Sequence, residues 1–307
     1  MTMDMLLSAD LLVADAGAAL ATLVDTIGID EPRPSWQQLW PGYGFEAWWC
    51  RVGRDLSASP TRLEIISPHG DVDPALAHPY MREIWDAQGD RPAKAHSTPI
   101  AVPDVGALAD QLTSRGARFR LDPVIEELPF LRLWMGMTAD EPTTYLPVSD
   151  GGLRLEFVVT DGLGMPAGAA APDPVPPPGA GDGAFVGVAA RLFVTADLAG
   201  TIDVLHELFE WDPVEVIDGR ATFGFEWARS AVIEVVEPVP DSLEAAVLAG
   251  WGTGPYGIRL RVDGLDAKTE DLVSRGTPFE IVERASGEVI LIDPATTCGT
   301  PFELVEA

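Results

Sequence analysis

Positive charge is what this 307-residue sequence has least of: 20 basic side chains stand against 48 acidic ones, and only Lys94 and Lys268 are lysines. The resulting net charge of −28 repels phosphate backbones and anionic lipid surfaces over a Debye length of about 10 Å. Nucleic acid and membranes are therefore excluded as expected partners. Cysteine is nearly absent too. Cys50 and Cys298 lie far apart with no CxxC spacing, which excludes a disulfide framework and a zinc knuckle and fits a reducing cytoplasm. Long apolar runs are missing as well. The opening MTMDMLLSADLLVADAG has acids where a signal peptide needs basic residues, and its apolar stretch is too short and interrupted to span a bilayer.

What is there is enough for two packed cores. Hydrophobic residues make up 47% and charged residues 22%, a globular composition, and the length is that of about two domains. The stretch 161–183, DGLGMPAGAAAPDPVPPPGAGDG, has almost no bulky apolar residue and reads as a semi-rigid linker between domains at 1–160 and 184–307. Either side of it the chain repeats: QLTSRGARFR (111–120) and DLVSRGTPFE (271–280) share Leu, Ser-Arg-Gly and Phe in register.

Each half contains a second, weaker copy of the same strand–helix unit. LLVAD ends at Asp15, and Leu20, Leu23, Val24 and Ile27 then share one helix face. PIAVPD ends at Asp104, followed by Val105, Leu108 and Leu112 and closed by Gly116, which suits a left-handed C′ position. LFVTAD ends at Asp197, with Leu198, Ile202, Leu205 and Phe209 behind it. IRLRVDGLD leads into Leu265 and Leu272 and closes at Gly276. Asp15, Asp104 and Asp197 stand where helix N-caps belong.

Every copy ends in a strand that clamps one glutamate between apolar neighbours: Glu64, Glu156, Glu234 and Glu303. Alternation turns the neighbours toward the helices and the glutamate toward the other face of the sheet. Inside a curved sheet such carboxylates need a partner, a proton or a metal.

This fourfold strand–helix–strand pattern resembles the vicinal oxygen chelate superfamily, which includes glyoxalase I, methylmalonyl-CoA epimerase, extradiol dioxygenases and bleomycin- and fosfomycin-resistance proteins. The resemblance covers nearly all of the chain outside the linker. It implies an α+β fold of two tandem domains, each of paired βαβββ modules forming a cupped mixed sheet. It also implies ligands for one divalent metal ion in the first domain (manganese, iron, nickel or zinc) at Glu64, His96 and Glu156. The fourth position, a histidine seven residues before the capping aspartate, falls on Ser8, so Asp10 is the substitute oxygen donor. His96 stands eight residues before Asp104, and a bulge at Pro99 restores its phase.

Glu64 and Glu156 are on this view the catalytic carboxylates. A metal-free alternative is also open: Arg62 and Arg154 each precede a glutamate by two residues, so the two RLE triplets present Arg–Glu pairs on one strand face. The second domain offers only Glu234 and Glu303, with Ala190 or Arg191 and Tyr256 at the other positions, and is expected to be structural or to bind without a metal. His69, His78 and His206 are read as surface or packing residues. The aromatics Trp36, Trp40, Trp49 and Trp134 are expected around the first cup, with SWQQLWPGY as a loop roofing it. A pseudoenzyme-like structural partner is the least favoured of three functions; the other two are a glyoxalase-like, metal-dependent enzyme of lyase, isomerase or oxygenase type and a non-catalytic small-molecule or antibiotic-binding protein. Either acts on a small molecule as a monomer or homodimer.

Overall fold

The computed structural model describes residues 2–40, 42–53, 59–73, 84–86, 88–91, 94–124, 130–141, 144–161, 163, 181–285 and 287–307. His78 and most of the expected linker lie outside them. Among the described residues no helix is long and apolar enough to cross a membrane.

The four copies are visible as elements. The first holds β1 (Met5–Leu6), β2 (Ser8–Leu12), α1 (Ala16–Ile27), β3 (Gln37–Trp40), β4 (Tyr43–Cys50) and β5 (Arg62–Val72). The second holds β6 (Thr98–Val102), α2 (Val105–Ser114), β7 (Phe119–Asp122), β8 (Arg132–Met135) and β9 (Leu155–Val159). The third holds β10 (Ala184–Val194), α3 (Leu198–Phe209), β11 (Glu215–Ile217), β12 (Arg220–Phe223) and β13 (Val232–Val236). A helix absent from the sequence reading, α4 (Leu243–Trp251), precedes the fourth copy. That copy holds β14 (Gly254–Asp263), α5 (Leu265–Arg275), β15 (Phe279–Arg284), β16 (Gly287–Ile292) and β17 (Phe302–Glu306).

The caps follow the sequence. Asp15, Asp104 and Asp197 accept hydrogen bonds from the amides of Ala18, Ala107 and Gly200, at 2.9, 2.9 and 2.8 Å. Helix α5, of the fourth copy, has no such residue at its cap, Gly264; Glu306 supplies the acceptor instead, at 2.9 Å from the Gly264 amide and 2.8 Å from the Leu265 amide.

In each copy the strand before the helix lies parallel to the last strand, which fixes what stands beside each glutamate. The register pairs Asp10 with Glu64, Pro99 with Glu156, Leu192 with Glu234 and Arg259 with Glu303. In the C-terminal half, the continuous β10 joins both copies in one eight-stranded sheet, β11-β12-β13-β10-β14-β17-β16-β15. In the N-terminal half the equivalent strand breaks at Leu7. β1 therefore belongs to a five-stranded sheet, β1-β6-β9-β8-β7, and β2 to a four-stranded one, β2-β5-β4-β3.

The helix layers of the two halves meet. Arg275 and Thr277, at the end of α5, donate to the α1 carbonyls of Val24 and Thr26 at 2.9 and 2.7 Å, while Gln111 of α2 donates to Leu208 of α3 at 2.9 Å. One apolar cluster consequently runs from Leu20, Leu63 and Phe157 to Phe193, Phe209 and Leu260. Backbones come so close there that only glycine fits at position 53: a Cβ would stand 2.1 Å from the carbonyl oxygen of Val186.

Candidate small-molecule site

A cavity of about 100 Å3 opens between the two N-terminal sheets. Glu64 enters it from β5 and Glu156 from β9, Ser8 reaches it from β2, and His96 and Ser97 from the residues just before β6. Trp40, Phe45, Trp49 and Phe130 supply apolar walls, with Arg62 and Arg132 among the lining residues. The glutamates point here for the reason that alternation gives: Leu63, Ile65, Leu155 and Phe157 face the main core.

The two arms of the cup repeat each other. Ser8 donates its hydroxyl to Glu64 Oε2 at 2.6 Å, and Ser97 donates to Glu156 Oε2 at 2.7 Å. Each serine stands seven residues before a capping aspartate, so Ser97, not His96, is the counterpart of Ser8. The third strand of each arm brings a tryptophan beside the glutamate, Trp49 opposite Glu64 and Trp134 opposite Glu156. Here the symmetry ends. The Trp49 indole donates to Glu64 Oε1 at 2.8 Å, whereas Trp134 donates to Asp122 Oδ2 at 2.9 Å.

The two carboxyls therefore differ in their hydrogen-bond donors. Both are pushed upward, first of all by burial. Glu64 has donors on both oxygens. For Glu156, burial prevails over the nearby Arg132 and the Ser97 hydroxyl, and its carboxyl rises to about 7. His96 goes the other way: burial, with Arg132 and Arg154 nearby, lowers it to about 3 and keeps the imidazole neutral. Its ring packs edge-on to Trp134 at 5.2 Å.

Several expected residues stand elsewhere. Asp10 is 1% exposed and does not line the cavity; its carboxylate accepts the amides of His96 and Ser97 and faces Arg191 of the other half at 3.4 Å. It is fully engaged as a structural acceptor, not as a metal donor. Arg154 precedes β9 with φ of 54°, so strand alternation does not reach it, and it stacks over Tyr145 at 4.4 Å. Arg62 does border the cavity, lying over Trp49 at 5.2 Å. Trp36 sits in a short turn packed against the main core, and Trp134 is 1% exposed beneath His96. The expected roofing loop is partly strand β3, paired to β4 from Gln37–Trp48 to Trp40–Phe45.

The donor chemistry does not suit a resident divalent ion. Both first-strand positions carry serines whose hydroxyls donate to the carboxylates, and the Trp49 indole takes a further Glu64 oxygen. Among the described residues, no three His, Cys, Asp or Glu side chains converge as a metal-holding group.

The C-terminal cup is filled differently. Arg259 binds Glu234 and Glu303, each at 2.7 Å; Arg220 reaches Glu234 at 2.6 Å and Glu244 at 2.8 Å; Arg284 reaches Glu303 at 2.7 Å. Burial alone would raise Glu234 and Glu244, but the arginines prevail and hold both below the usual carboxylate range. Helix α4 adds Val247 to a second apolar cluster with Leu192 and Tyr256. The alternation Ile258-Arg259-Leu260-Arg261 is the signal that would have revealed cations on the glutamate face.

No family model matches the chain, and no curated protein matches it. Solved structures do. A triple mutant of 4-hydroxymandelate synthase from Streptomyces coelicolor superposes on 100% of this chain and 93% of its own, with a TM-score of 0.58 and 15% identity. Methylmalonyl-CoA epimerase from Mycobacterium tuberculosis matches 40% of this chain and 88% of its own, with a TM-score of 0.36 and 22% identity. The Streptomyces coelicolor epimerase matches 39% and 93%, with a TM-score of 0.35 and 19% identity.

Proposed function

The chain has the fold of the vicinal oxygen chelate superfamily, and from that premise we propose that its N-terminal cup binds one small organic molecule with which Glu156 exchanges a proton. This is a glyoxalase-like reaction of isomerase or lyase type. One observation carries it: two carboxyls from different sheets share an aromatic-walled cavity, where burial raises both and brings Glu156 to about 7. A general acid–base works best with a pKa near the operating pH, which Glu156 has and an ordinary glutamate lacks. Glu64, fixed by Ser8 and Trp49, is a stationary acceptor for a ligand O–H or N–H. Arg62 and Arg132 offer positive charge to an anionic oxygen.

In the superfamily a divalent ion commonly stabilises the charge that such a proton transfer creates. Here the serine-bonded carboxylates argue for the transfer without one. The test uses full-length protein purified without chelator, first assayed for metal and then incubated in D2O with small 2-oxo and 2-hydroxy acids, 4-hydroxymandelate among them. Exchange of hydrogens next to the carbonyl or carboxyl, read by NMR, is expected in the wild type and to fall about 100-fold or more in Glu156→Gln. A stoichiometric metal lost in His96→Ala would instead make it a metal-dependent enzyme. Binding without exchange would make it a non-catalytic binding protein. Either result ends the proposal.

A further inference from the structure

Both serine arms of the cup are held from the C-terminal half. Arg191 projects from β10 at the register position that Ala9 occupies on β2, each standing one residue before the partner of the copy's glutamate. The small residue packs in the core; the large cation is also buried, with 2% of its surface exposed. Arg191 Nη2 meets Asp10 Oδ1 at 3.4 Å, and Nη1 donates to the Gly257 carbonyl at 3.4 Å. Among the described residues, Asp10 is the charge that offsets the effect of burial on this guanidinium. The other oxygen of Asp10 accepts the amides of His96 and Ser97, and the Ser97 hydroxyl then binds Glu156 at 2.7 Å. An unbroken line of polar contacts thus joins the second half to the titrating carboxyl.

The other arm is gripped independently. The Leu6 amide donates to Ser230 Oγ at 2.9 Å, the Thr61 hydroxyl donates to the Leu6 carbonyl at 2.7 Å, and the Ala231 amide donates to that same hydroxyl oxygen at 2.9 Å. Leu6 ends β1 where the chain crosses between sheets, two residues before Ser8.

We infer that Arg191 is a positioning residue for the cup: it orients Asp10, and through Asp10 the His96–Ser97 peptide, so that Ser97 can bind Glu156. The second half of the chain, whose own cup is filled by arginines, serves in this way as the brace of the first. A fully buried cation bonded to one carboxylate is costly for stability alone, and replacing it with an apolar side chain would leave Asp10 uncompensated. The consequence is local, at two amides whose acceptor is that carboxylate.

Resting on the cup as the binding site, this role is tested on ligand-free, full-length protein, so that its failure is separate from a failure to find a ligand. Amide hydrogen exchange is read residue by residue in wild type, Arg191→Met, Arg191→Lys and Asp10→Asn. In Arg191→Met and Asp10→Asn, exchange at His96 and Ser97 should quicken about tenfold or more, the loss of a charge-assisted hydrogen bond. Val102 on β6 and Val194 on β10 should stay near wild-type rates. Arg191→Lys, which keeps a cation toward Asp10, should retain most of the protection. Unchanged rates at His96 and Ser97, or equal acceleration along the whole of β6 and β10, would overturn the assignment. Should Arg191→Met fail to fold, Asp10→Asn and Arg191→Lys decide by the same criteria.

Discussion

At the scale of residues, Glu156 makes the sharpest statement. Its carboxyl sits at about 7 in the folded protein against an ordinary 4.5, so between those values the folded chain holds a proton that the unfolded chain has lost. The stabilisation is full below 4.5 and disappears as pH rises through about 7, with an upper bound of about 3 kcal/mol. Asp150, raised to about 6 mainly by burial, acts in the same direction. His96 opposes both: with its value lowered from 6.5 to about 3, its stabilisation is present above 6.5 and is lost as the pH falls toward 3. The difference between wild type and Glu156→Gln isolates the glutamate. In urea melts the variant should gain on the wild type by about 1–3 kcal/mol between pH 5 and pH 8. A difference that does not vary with pH would contradict the raised carboxyl.

The four glutamates were legible because strand alternation needs only their apolar neighbours. The partner of Glu156 was not, because a histidine beside a serine draws attention to the wrong one: counting from Asp104 selects Ser97, one residue on. Asp10 is legible as a strand residue beside Ser8, but its role depends on Arg191, which no local pattern brings near it.

At the scale of elements, helices were easier to read than edges. The aspartate caps and the 3.6-residue apolar faces located α1, α2 and α3 because both signals are local. Helix α4 escaped despite its cap, Ser242, which accepts from the Ala245 amide at 3.0 Å; it belongs to no repeat copy, and its apolar residues do not line up on one face. Strand β3 escaped because it is an edge strand with polar Gln37 and Gln38. The approach of β10 to Gly53 was equally invisible, since glycines in loops usually report only on turns. Position 53, with φ of 104°, tests that contact. Gly53→Ala should lose about 2–3 kcal/mol, combining left-handed strain with a backbone clash. Gly70→Ala, at φ of 69° with nothing among the described residues within 4 Å of the added carbon, should lose about 1 kcal/mol from strain alone. Equal losses in urea melts would show that the Val186 contact is not as close as described.

At the scale of the whole molecule, the duplication explains the sheets and the contact between halves explains the core. By composition each half has enough apolar residues for its own core, and cutting at the linker should then yield two foldable pieces. The structure supplies a reason to expect otherwise. Helices α1 and α2 cover the N-terminal sheets on one side and meet α5 and α3 on the other, and the apolar cluster passes between the halves without a break. Separation would expose Leu20, Leu23, Phe157 and Phe209 together with the buried Asp10–Arg191 pair. The intact chain is therefore expected to unfold in one cooperative transition, with tryptophan fluorescence and far-ultraviolet circular dichroism giving the same midpoint. The fragment 1–163 should show a broad, low-amplitude transition or none, and recover its structure on mixing with 181–307. Two resolved transitions in the intact chain, or a fragment 1–163 that melts as sharply as the whole, would mean that each half closes its own core and that the contact between them is secondary.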